Sequence, residues 1–116
     1  MSHKTETAKK LLKRTYVKKG NEEYYEIDGK KDGEYKSWYE NGRLIERCYF
    51  IDNKLNGELR VWYTNGQPLT RCHYKNNRLD GELVRWNRNG QLVEHCYYAN
   101  GELLIHCYYK NGIKIK

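Results

Sequence analysis

Apolar and polar side chains alternate along short stretches of this chain, and Asn-Gly pairs separate the stretches. Residues 33–40 form one such stretch, rich in aromatic residues, and residues 43–50 form the next, with Asn41-Gly42 between them. Both central residues of a type I′ turn need a positive φ, which Asn and Gly tolerate. The pattern therefore predicts a β-hairpin over residues 33–50, followed by a linker of residues 51–56.

This hairpin pattern returns with a period of 24 residues, as Gly33, Trp38, Asn41-Gly42 and Cys48, then Gly57, Trp62, Asn65-Gly66 and Cys72, then Gly81, Trp86, Asn89-Gly90 and Cys96. Such a period is typical of repeat proteins, in which each unit buries its apolar face against its neighbours. The end units are atypical. Residues 24–33 match residues 48–57 as a partial repeat, and Asn100-Gly101 and Asn111-Gly112 predict an extra hairpin that ends near Ile115.

The predicted fold class is all-β: a single-layer, curled antiparallel sheet of tandem β-hairpins behind a short basic N-terminal helix or tail. We predict two regions, a basic N-terminal segment of residues 1–19 and a repeat array of residues 20–116 with partial capping repeats. Within the first region, residues 5–14 have the composition of a short basic helix, with Ala8, Leu11 and Leu12 at helical spacing on one side.

The motif Gly-Glu-x-x-x-Trp-(Tyr)-x-Asn-Gly-x-Leu, followed by Tyr-x-Asn-Gly/Asn-x-Leu, resembles the MORN repeat variant of bacteria and large DNA viruses. The resemblance covers about residues 20–112 and departs at Pro68 and Asn87, which stand where other units have Leu and Tyr. It implies a curled sheet of successive hairpins that acts as an interaction or scaffold module. Some similar bacterial proteins are labelled antitoxins.

The chain has 116 residues, of which 22 are Lys or Arg and 15 are Asp or Glu, so its net charge is +7. A basic surface favours an acidic or anionic partner. No apolar run approaches the roughly 20 residues that a membrane span needs, and residues 1–19 lack the apolar core of a secretory signal. We therefore expect an intracellular protein.

Cross-strand pairing sorts the side chains onto two faces of the predicted sheet. A two-residue turn at Asn41-Gly42 would pair Tyr39 with Leu44, Trp38 with Ile45, Ser37 with Glu46, Lys36 with Arg47 and Tyr35 with Cys48. One face is nearly apolar, and the other carries cations beside tryptophans. We name the second the candidate partner-binding face, and it consists of Lys36, Trp38, Arg47, Arg60, Trp62, Arg71, Trp86 and His95.

Three readings of this face stay open at the level of sequence. Arginine stems can simply cover tryptophan rings on a solvated surface. An acidic protein surface can bind the cations. A nucleic acid can place its phosphates on the cations and stack its bases on the aromatic rings.

The four cysteines are expected to be free thiols that line an internal column. Cys48, Cys72 and Cys96 lie one repeat apart, so two strands separate neighbouring cysteines by about 9–10 Å, beyond the roughly 7 Å that a disulfide spans. Cys96 and Cys107 come closest, as diagonal neighbours. No C-x-x-C pair is present and histidines next to cysteines point to the opposite face, so no metal site is predicted.

The sequence predicts no catalytic site, no cofactor and no enzymatic activity. Its glycines are turn signals rather than a phosphate-binding loop, and the column of Glu34, Glu58 and Glu82 follows from the repeat itself. The predicted function is a non-enzymatic protein–protein interaction or scaffolding module with a protein partner of unknown identity. The alternatives are a basic nucleic-acid- or chromatin-associated protein, which would bind with a steep salt dependence, and an antitoxin-like inhibitor.

The apolar face, with Tyr35, Leu59, Leu83 and the cysteine column, needs a cover because monomers rarely expose large apolar patches. Three covers are available: curling of the sheet, docking of the N-terminal helix through Leu11 and Leu12, and pairing with a second copy. We expect curling together with a weak or moderate homodimer.

Overall fold

The computed structural model describes the backbone of residues 3–116, and the side chains of that range except those of residues 3–5, 7 and 11. One helix precedes thirteen strands in the described range. Their bounds are α1 (His3–Leu12), β1 (Thr15–Lys19), β2 (Glu22–Ile27), β3 (Lys30–Lys31), β4 (Gly33–Trp38), β5 (Leu44–Ile51), β6 (Lys54–Leu55), β7 (Gly57–Trp62), β8 (Pro68–Lys75), β9 (Arg78–Leu79), β10 (Gly81–Trp86), β11 (Leu92–Ala99), β12 (Glu102–Lys110) and β13 (Ile113–Lys114).

The strands form one open antiparallel sheet that is a single layer thick. The order across it is β1-β2-β4-β5-β7-β8-β10-β11-β12-β13, while the two-residue strands β3, β6 and β9 pair with β2, β5 and β8. The principal extents of the molecule are 54, 36 and 17 Å. The predicted fold class, a curled single-layer sheet of tandem hairpins behind a short basic helix, is confirmed.

The Asn-Gly turns close the hairpins, but their geometry differs from the predicted type I′ turn. The Gly42 amide donates to the Tyr39 carbonyl at 3.0 Å, and the Tyr39 amide donates to the Arg43 carbonyl at 2.8 Å. The loop therefore contains three residues, and among them only Gly42 has a positive φ, +86°. This is a type I turn followed by a left-handed glycine and a bulge.

Beyond the bulge, the strands have the same register that the predicted two-residue turn would have given. The predicted pairs of Ser37 with Glu46, Lys36 with Arg47 and Tyr35 with Cys48 are confirmed. The predicted pairs nearer the turn are wrong, because Trp38 pairs with Leu44 and Ile45 is the extra residue of the bulge. The same shift occurs between Val61 and Trp62 and between Arg85 and Trp86.

The predicted linker of residues 51–56 contains a hairpin turn of its own. Asp52 and Asn53 have φ values of +52° and +68°, and they connect β5 to β6 through the pair of Ile51 with Lys54. Two successive positive φ values define the type I′ geometry that we had assigned to the Asn-Gly turns. The extra C-terminal hairpin is confirmed, since β12 pairs with β13.

Side chains at the hairpin turns connect each repeat to the next. The Tyr39 hydroxyl donates to the Trp62 carbonyl at 2.6 Å, and the Asn41 side-chain amide donates to the Thr64 carbonyl at 3.0 Å. One repeat later the same two bonds run from Tyr63 to Trp86 at 2.7 Å and from Asn65 to Arg88 at 3.0 Å. Because each hydrogen bond crosses a repeat boundary, it stabilises neighbouring units together.

Both departures from the repeat motif are accommodated without loss of the hairpin. Pro68 is the first residue of β8, a position at which a strand tolerates a missing amide hydrogen. Asn87 stands in place of the tyrosine, and its Oδ1 accepts hydrogen bonds from the backbone amides of Asn89 and Gln91, each at 3.0 Å. The third Asn-Gly turn is therefore stabilised by a side chain of the same turn.

The core of the sheet is a column of buried thiols. Cys48, Cys72 and Cys96 are exposed by 0%, 3% and 2%, so three of the four cysteines form the predicted internal column. The prediction is wrong for Cys107, which is half-buried and pairs with His95, so that its side chain lies on the other face. Their cross-strand neighbours on the same face, among them Tyr35 and Leu59, are half-buried. In this single-layer sheet, the most buried side chains are therefore small ones, which their larger neighbours can cover.

A buried carboxylate attaches the N-terminal segment to the first repeat. Asp32 is 5% exposed. Its Oδ1 accepts a hydrogen bond from Arg14 at 2.6 Å, its Oδ2 accepts one from the Asp52 amide at 3.1 Å, and Lys10 Nζ lies 3.8 Å away. Burial raises the pKa of the Asp32 carboxyl, but the hydrogen bonds from Arg14 and Asp52 outweigh it and hold that pKa below its ordinary value.

The N-terminal segment also adds a strand to the sheet. β1 pairs with β2 along its length, so the sheet begins at Thr15 rather than at residue 20. The division into a segment of residues 1–19 and an array of residues 20–116 stays a prediction. The helix does not cover the apolar face through Leu12, which is 87% exposed. The side chain of Leu11, the other residue considered for such a cover, lies outside the described side chains.

We expect Gly66→Val to destabilise the second hairpin. Gly66 has a φ of +88°, and a Cβ at this position would lie 3.3 Å from Arg43 Nη1, so a β-branched residue is strained by its backbone and crowded by its neighbour. The free energy of unfolding should fall by at least about 1 kcal/mol in urea or thermal melting. Thr64→Val in the same turn serves as the control. An unchanged melting curve for Gly66→Val would show that the turn is built differently.

Asp32→Asn should release α1 from the first repeat. An asparagine can still accept from the Asp52 amide but loses the ion pair with Arg14, at a cost of about 1–3 kcal/mol. Amide hydrogen exchange in residues 3–14 should accelerate, whereas Asp80→Asn, at the equivalent repeat position, should leave that region unchanged. Because the folded pKa of Asp32 is lowered, its contribution is complete above the ordinary value near ~3.9 and is lost as the pH falls through the folded value. Equal exchange in the wild type and in Asp32→Asn would contradict this anchor.

Candidate partner-binding face

The sheet register brings most of the predicted cations into one row across the strands. Lys36 pairs with Arg47, Arg47 with Arg60, and Arg60 with Arg71. Directly opposite residues share a face of a sheet, so these four side chains lie side by side. The next residue of the row is Val84, which is 6% exposed, and it separates Arg71 from the predicted fifth cation.

Glutamates on the same face pair with these cations. Glu34 lies 3.1 Å from Lys36 Nζ and 3.0 Å from Arg47 Nε. Glu58 accepts a hydrogen bond from Arg60 Nε at 2.8 Å. The carboxylate column that the repeat produces is therefore an ion-paired row, and each carboxylate lies beside a cation of the stripe.

Glu82 completes this row on the last repeat. Its Oε1 accepts a hydrogen bond from Arg71 at 3.0 Å, and its Oε2 lies 2.9 Å from His95 Nε2. Tyr97 donates to the same Oε2 at 3.4 Å. Four cations and three carboxylates leave the paired rows with a single formal positive charge, counted over Lys36, Arg47, Arg60, Arg71, Glu34, Glu58 and Glu82.

These contacts lower the pKa values of the glutamates, so the carboxylates stay ionised at a lower pH than an isolated glutamate would. The hydrogen bond from Arg60 lowers the pKa of Glu58, and those from His95 and Arg71 lower the pKa of Glu82. Burial acts in the opposite direction on Glu34, but its hydrogen bonds and charge contacts with lysine and arginine outweigh burial and lower its pKa as well. The row therefore carries its negative charge at neutral pH.

Two aromatic rings of this face, Trp86 and Tyr49, contact arginines of the ion-paired row. Trp38, Trp62 and Trp86 are half-buried. The Arg71 guanidinium carbon lies 5.8 Å from the Trp86 ring centroid, within the range of a cation–π contact. Arg47 donates to the hydroxyl of Tyr49 at 2.7 Å. This geometry matches the reading in which arginine stems cover rings, and it leaves the guanidinium groups accessible.

The positive charge of the chain is concentrated outside this face. Residues 1–19 contain seven of the 22 Lys and Arg residues and only one acidic residue, Glu6. They account for +6 of the net charge of +7, so residues 20–116 are close to neutral. The predicted basic surface is therefore a property of the N-terminal segment and not of the whole chain.

All four cysteines are free thiols, and the buried ones are poor nucleophiles. Burial raises the pKa of Cys48 to about 12, with Glu46 as a further cause, and it raises that of Cys72 to about 11. The thiolate is the reactive form of cysteine. The role of Cys48 and Cys72 is therefore packing rather than nucleophilic attack.

One group of polar side chains on the opposite face, the cysteine face, was not predicted. Cys96 pairs with His106 across β11 and β12, and His106 Nε2 lies 2.6 Å from Glu94 Oε2. A two-residue turn at Asn100-Gly101 alone would place Ile105 opposite Cys96. A bulge between Tyr97 and Tyr98 shifts the register by one residue, so that His106 lies opposite Cys96 and Cys107 lies opposite His95 on the other face.

The comparison with known families decides what this repeat is. A family model described as the MORN repeat variant matches four successive segments, residues 31–52, 55–76, 79–98 and 96–111. The chain belongs to this family. Each of the first three MORN matches begins at one of the two-residue strands β3, β6 and β9 or next to it, and contains one Asn-Gly turn. The predicted resemblance is therefore confirmed, and this repeat is associated with binding modules.

Two further comparisons add little to the MORN assignment. A solved structure titled "Crystal Structure of TarM" is 16% identical and aligns with 94% of this chain but only 23% of that chain, with a TM-score of 0.39. No relative was found among the curated proteins. In the described residues, no helix is both long enough and apolar enough to cross a membrane.

Proposed function

We propose that this protein is a non-enzymatic module that binds another protein through the candidate partner-binding face. The glutamate row carries the proposal, because it turns a stripe of cations into a surface of alternating charge. Such a surface suits a protein partner, whose acidic and basic groups can pair with both signs. Tryptophan, tyrosine and arginine, which this face presents half-exposed, also dominate the binding energy at protein interfaces.

Nucleic acid is the second candidate, and a different part of the chain favours it. Phosphate backbones bind by releasing counterions, which requires cations that are not already compensated. The cations of the face are compensated by Glu34, Glu58 and Glu82, whereas residues 1–19 carry a net charge of +6 and the structure pairs Lys10 and Arg14 of this segment with one carboxylate, Asp32. A nucleic acid would therefore contact the N-terminal segment rather than the face.

The proposal places the module inside the cell. Four free thiols support this location, because reducing compartments keep cysteines unpaired. An antitoxin-like inhibitor is one form of the same proposal, with a toxin as the protein partner.

Charge reversal on the face tests the proposal. Arg60→Glu combined with Arg71→Glu should reduce capture of the partner protein from a native lysate at least about tenfold, because both substitutions place like charges beside glutamates and opposite the partner's acidic groups. Arg43→Glu combined with Arg88→Glu changes the net charge equally at exposed hairpin turns and should capture normally. Circular dichroism checks that both variants fold. Equal capture by the two variants would contradict a role of the face.

Nuclease treatment and salt separate the two candidate functions. A protein partner should remain bound after nuclease digestion and should lose affinity only moderately between low and physiological salt. If nuclease removes the captured material, and if binding of a DNA or RNA duplex falls steeply with salt, the nucleic-acid function is correct and the first proposal is wrong.

We also propose a weak homodimer, but through a different surface from the one that the sequence suggested. Tyr35, Leu59 and Leu83 on the apolar face are half-buried. The exposed large apolar residues concentrate instead on the last two strands and the residue after them, namely Leu103, Leu104, Ile105, Tyr108, Ile113 and Ile115. They lie on both faces at this edge of the sheet, and exposed apolar side chains at a sheet edge often mark contacts between chains.

Light scattering across a concentration series tests the dimer. The weight-average mass should rise above that of one chain in the wild type and should fall back in Ile105→Lys combined with Ile113→Lys. Ile51→Lys is the control, because Ile51 is also half-exposed, at 51%, but lies in the first repeat. A mass of one chain at every concentration would contradict the dimer.

A further inference from the structure

Three side chains that commonly bind metal ions meet on the cysteine face of the sheet. The ligand atoms of Glu94, Cys96 and His106 all lie within 4.8 Å of one another. Cys96 and His106 are cross-strand partners, and Glu94 is two residues before Cys96, so all three side chains point to the same face. In the part of the chain that the structure describes, this is the one such group of three.

The histidine in this group departs from the repeat pattern. Cys72 pairs with Leu59, and Cys96 pairs with Leu83 on one side but with His106 on the other. Periodicity alone produces columns of like residues, as it does for the cysteines and their apolar neighbours. A polar ligand in this one position is therefore not a consequence of the repeat.

The carboxylate of this group is held by a neighbour outside it. Arg85 Nη1 donates to Glu94 Oε1 at 3.1 Å, and the second oxygen, Oε2, lies 2.6 Å from His106 Nε2. A contact that fixes one carboxylate oxygen leaves the other available as a single ligand. The side chains of Glu94 and His106 are exposed by 17% and 27%, so an ion can reach them from solvent.

We propose that Glu94, Cys96 and His106 form a zinc-binding site. The ion would replace the hydrogen between His106 Nε2 and Glu94 Oε2, and it would bind the Cys96 sulfur as a thiolate. The imidazole would bind through the Nε2 lone pair and carry its hydrogen on Nδ1, while the thiol proton passes to water. No electron is transferred in this step.

The donor set selects zinc among the common divalent ions. It contains one sulfur, one imidazole nitrogen and one carboxylate oxygen, and Zn²⁺ accepts all three in a tetrahedral arrangement. Ca²⁺ and Mg²⁺ prefer oxygen ligands alone. Three protein ligands leave a fourth position for water or for a group from a bound protein.

Metal titration of the reduced chain tests the proposal. We expect one Zn²⁺ to bind per chain, and we expect Zn²⁺ to raise the melting temperature because it binds the folded state. Co²⁺ in its place should give the visible and near-ultraviolet absorption of a tetrahedral thiolate complex. Cys96→Ser, Glu94→Gln and His106→Gln should each weaken zinc binding at least about tenfold.

Two substitutions serve as matched controls. Cys72→Ser removes a thiol from the same buried column, and His95→Gln removes a histidine that also faces a carboxylate, Glu82, on the other side of the sheet. Both should bind zinc as the wild type does. The proposal is overturned if the wild type binds no zinc, if His106→Gln binds it equally well, or if the controls lose it. Should Cys96→Ser fail to fold, the half-buried His106 gives the decisive variant.

Discussion

Hydrogen bonds that cross from one repeat to the next are the constraint on which this structure depends. A sheet one layer thick has no second layer to pack against, so a hairpin gains most of its stability from the hairpins beside it. Tyr39 and Asn41 reach the backbone of the following unit, and Tyr63 and Asn65 repeat the contact. The period of 24 residues is therefore needed for these contacts, because a unit of another length would move the donors away from the carbonyl groups of the next unit.

The repeat and the strand pairing could be predicted because they depend on local signals that return in register. Asn41-Gly42 located the hairpin correctly, and pairs such as Tyr35 with Cys48 followed from it. The turn type was wrong because a three-residue loop compensated by a bulge gives the same distant pairs as a two-residue loop. Asp52-Asn53 carried the type I′ turn with a weaker signal. The strand register away from the turns could thus be predicted in the hairpins with a Trp strand. Between β11 and β12, a bulge between Tyr97 and Tyr98 shifts it by one residue.

The positions of the cations on the candidate face could be predicted from the sequence, but their neutralisation by glutamates could not. Alternation placed Lys36, Arg47, Arg60 and Arg71 correctly in one row. Their compensation by glutamates depends on where long side chains end, and Arg71 reaches Glu82 on the next hairpin. Cross-strand contacts of this kind also create the group of Glu94, Cys96 and His106. Spacing along the chain does not reveal them, since the relevant neighbour lies on another strand.

The side-chain hydrogen bonds that connect successive Asn-Gly turns run in one direction, and this gives the array a polarity. Tyr39 donates forward to the second unit and Tyr63 donates forward to the third, but Asn87 caps its own turn instead. A copy of residues 57–80 inserted after residue 80 would find a donor behind it and an acceptor ahead of it. The same copy placed after the third unit would meet no matching tyrosine. Tandem duplication can therefore lengthen this protein from its middle, where the two interfaces of the inserted unit already exist.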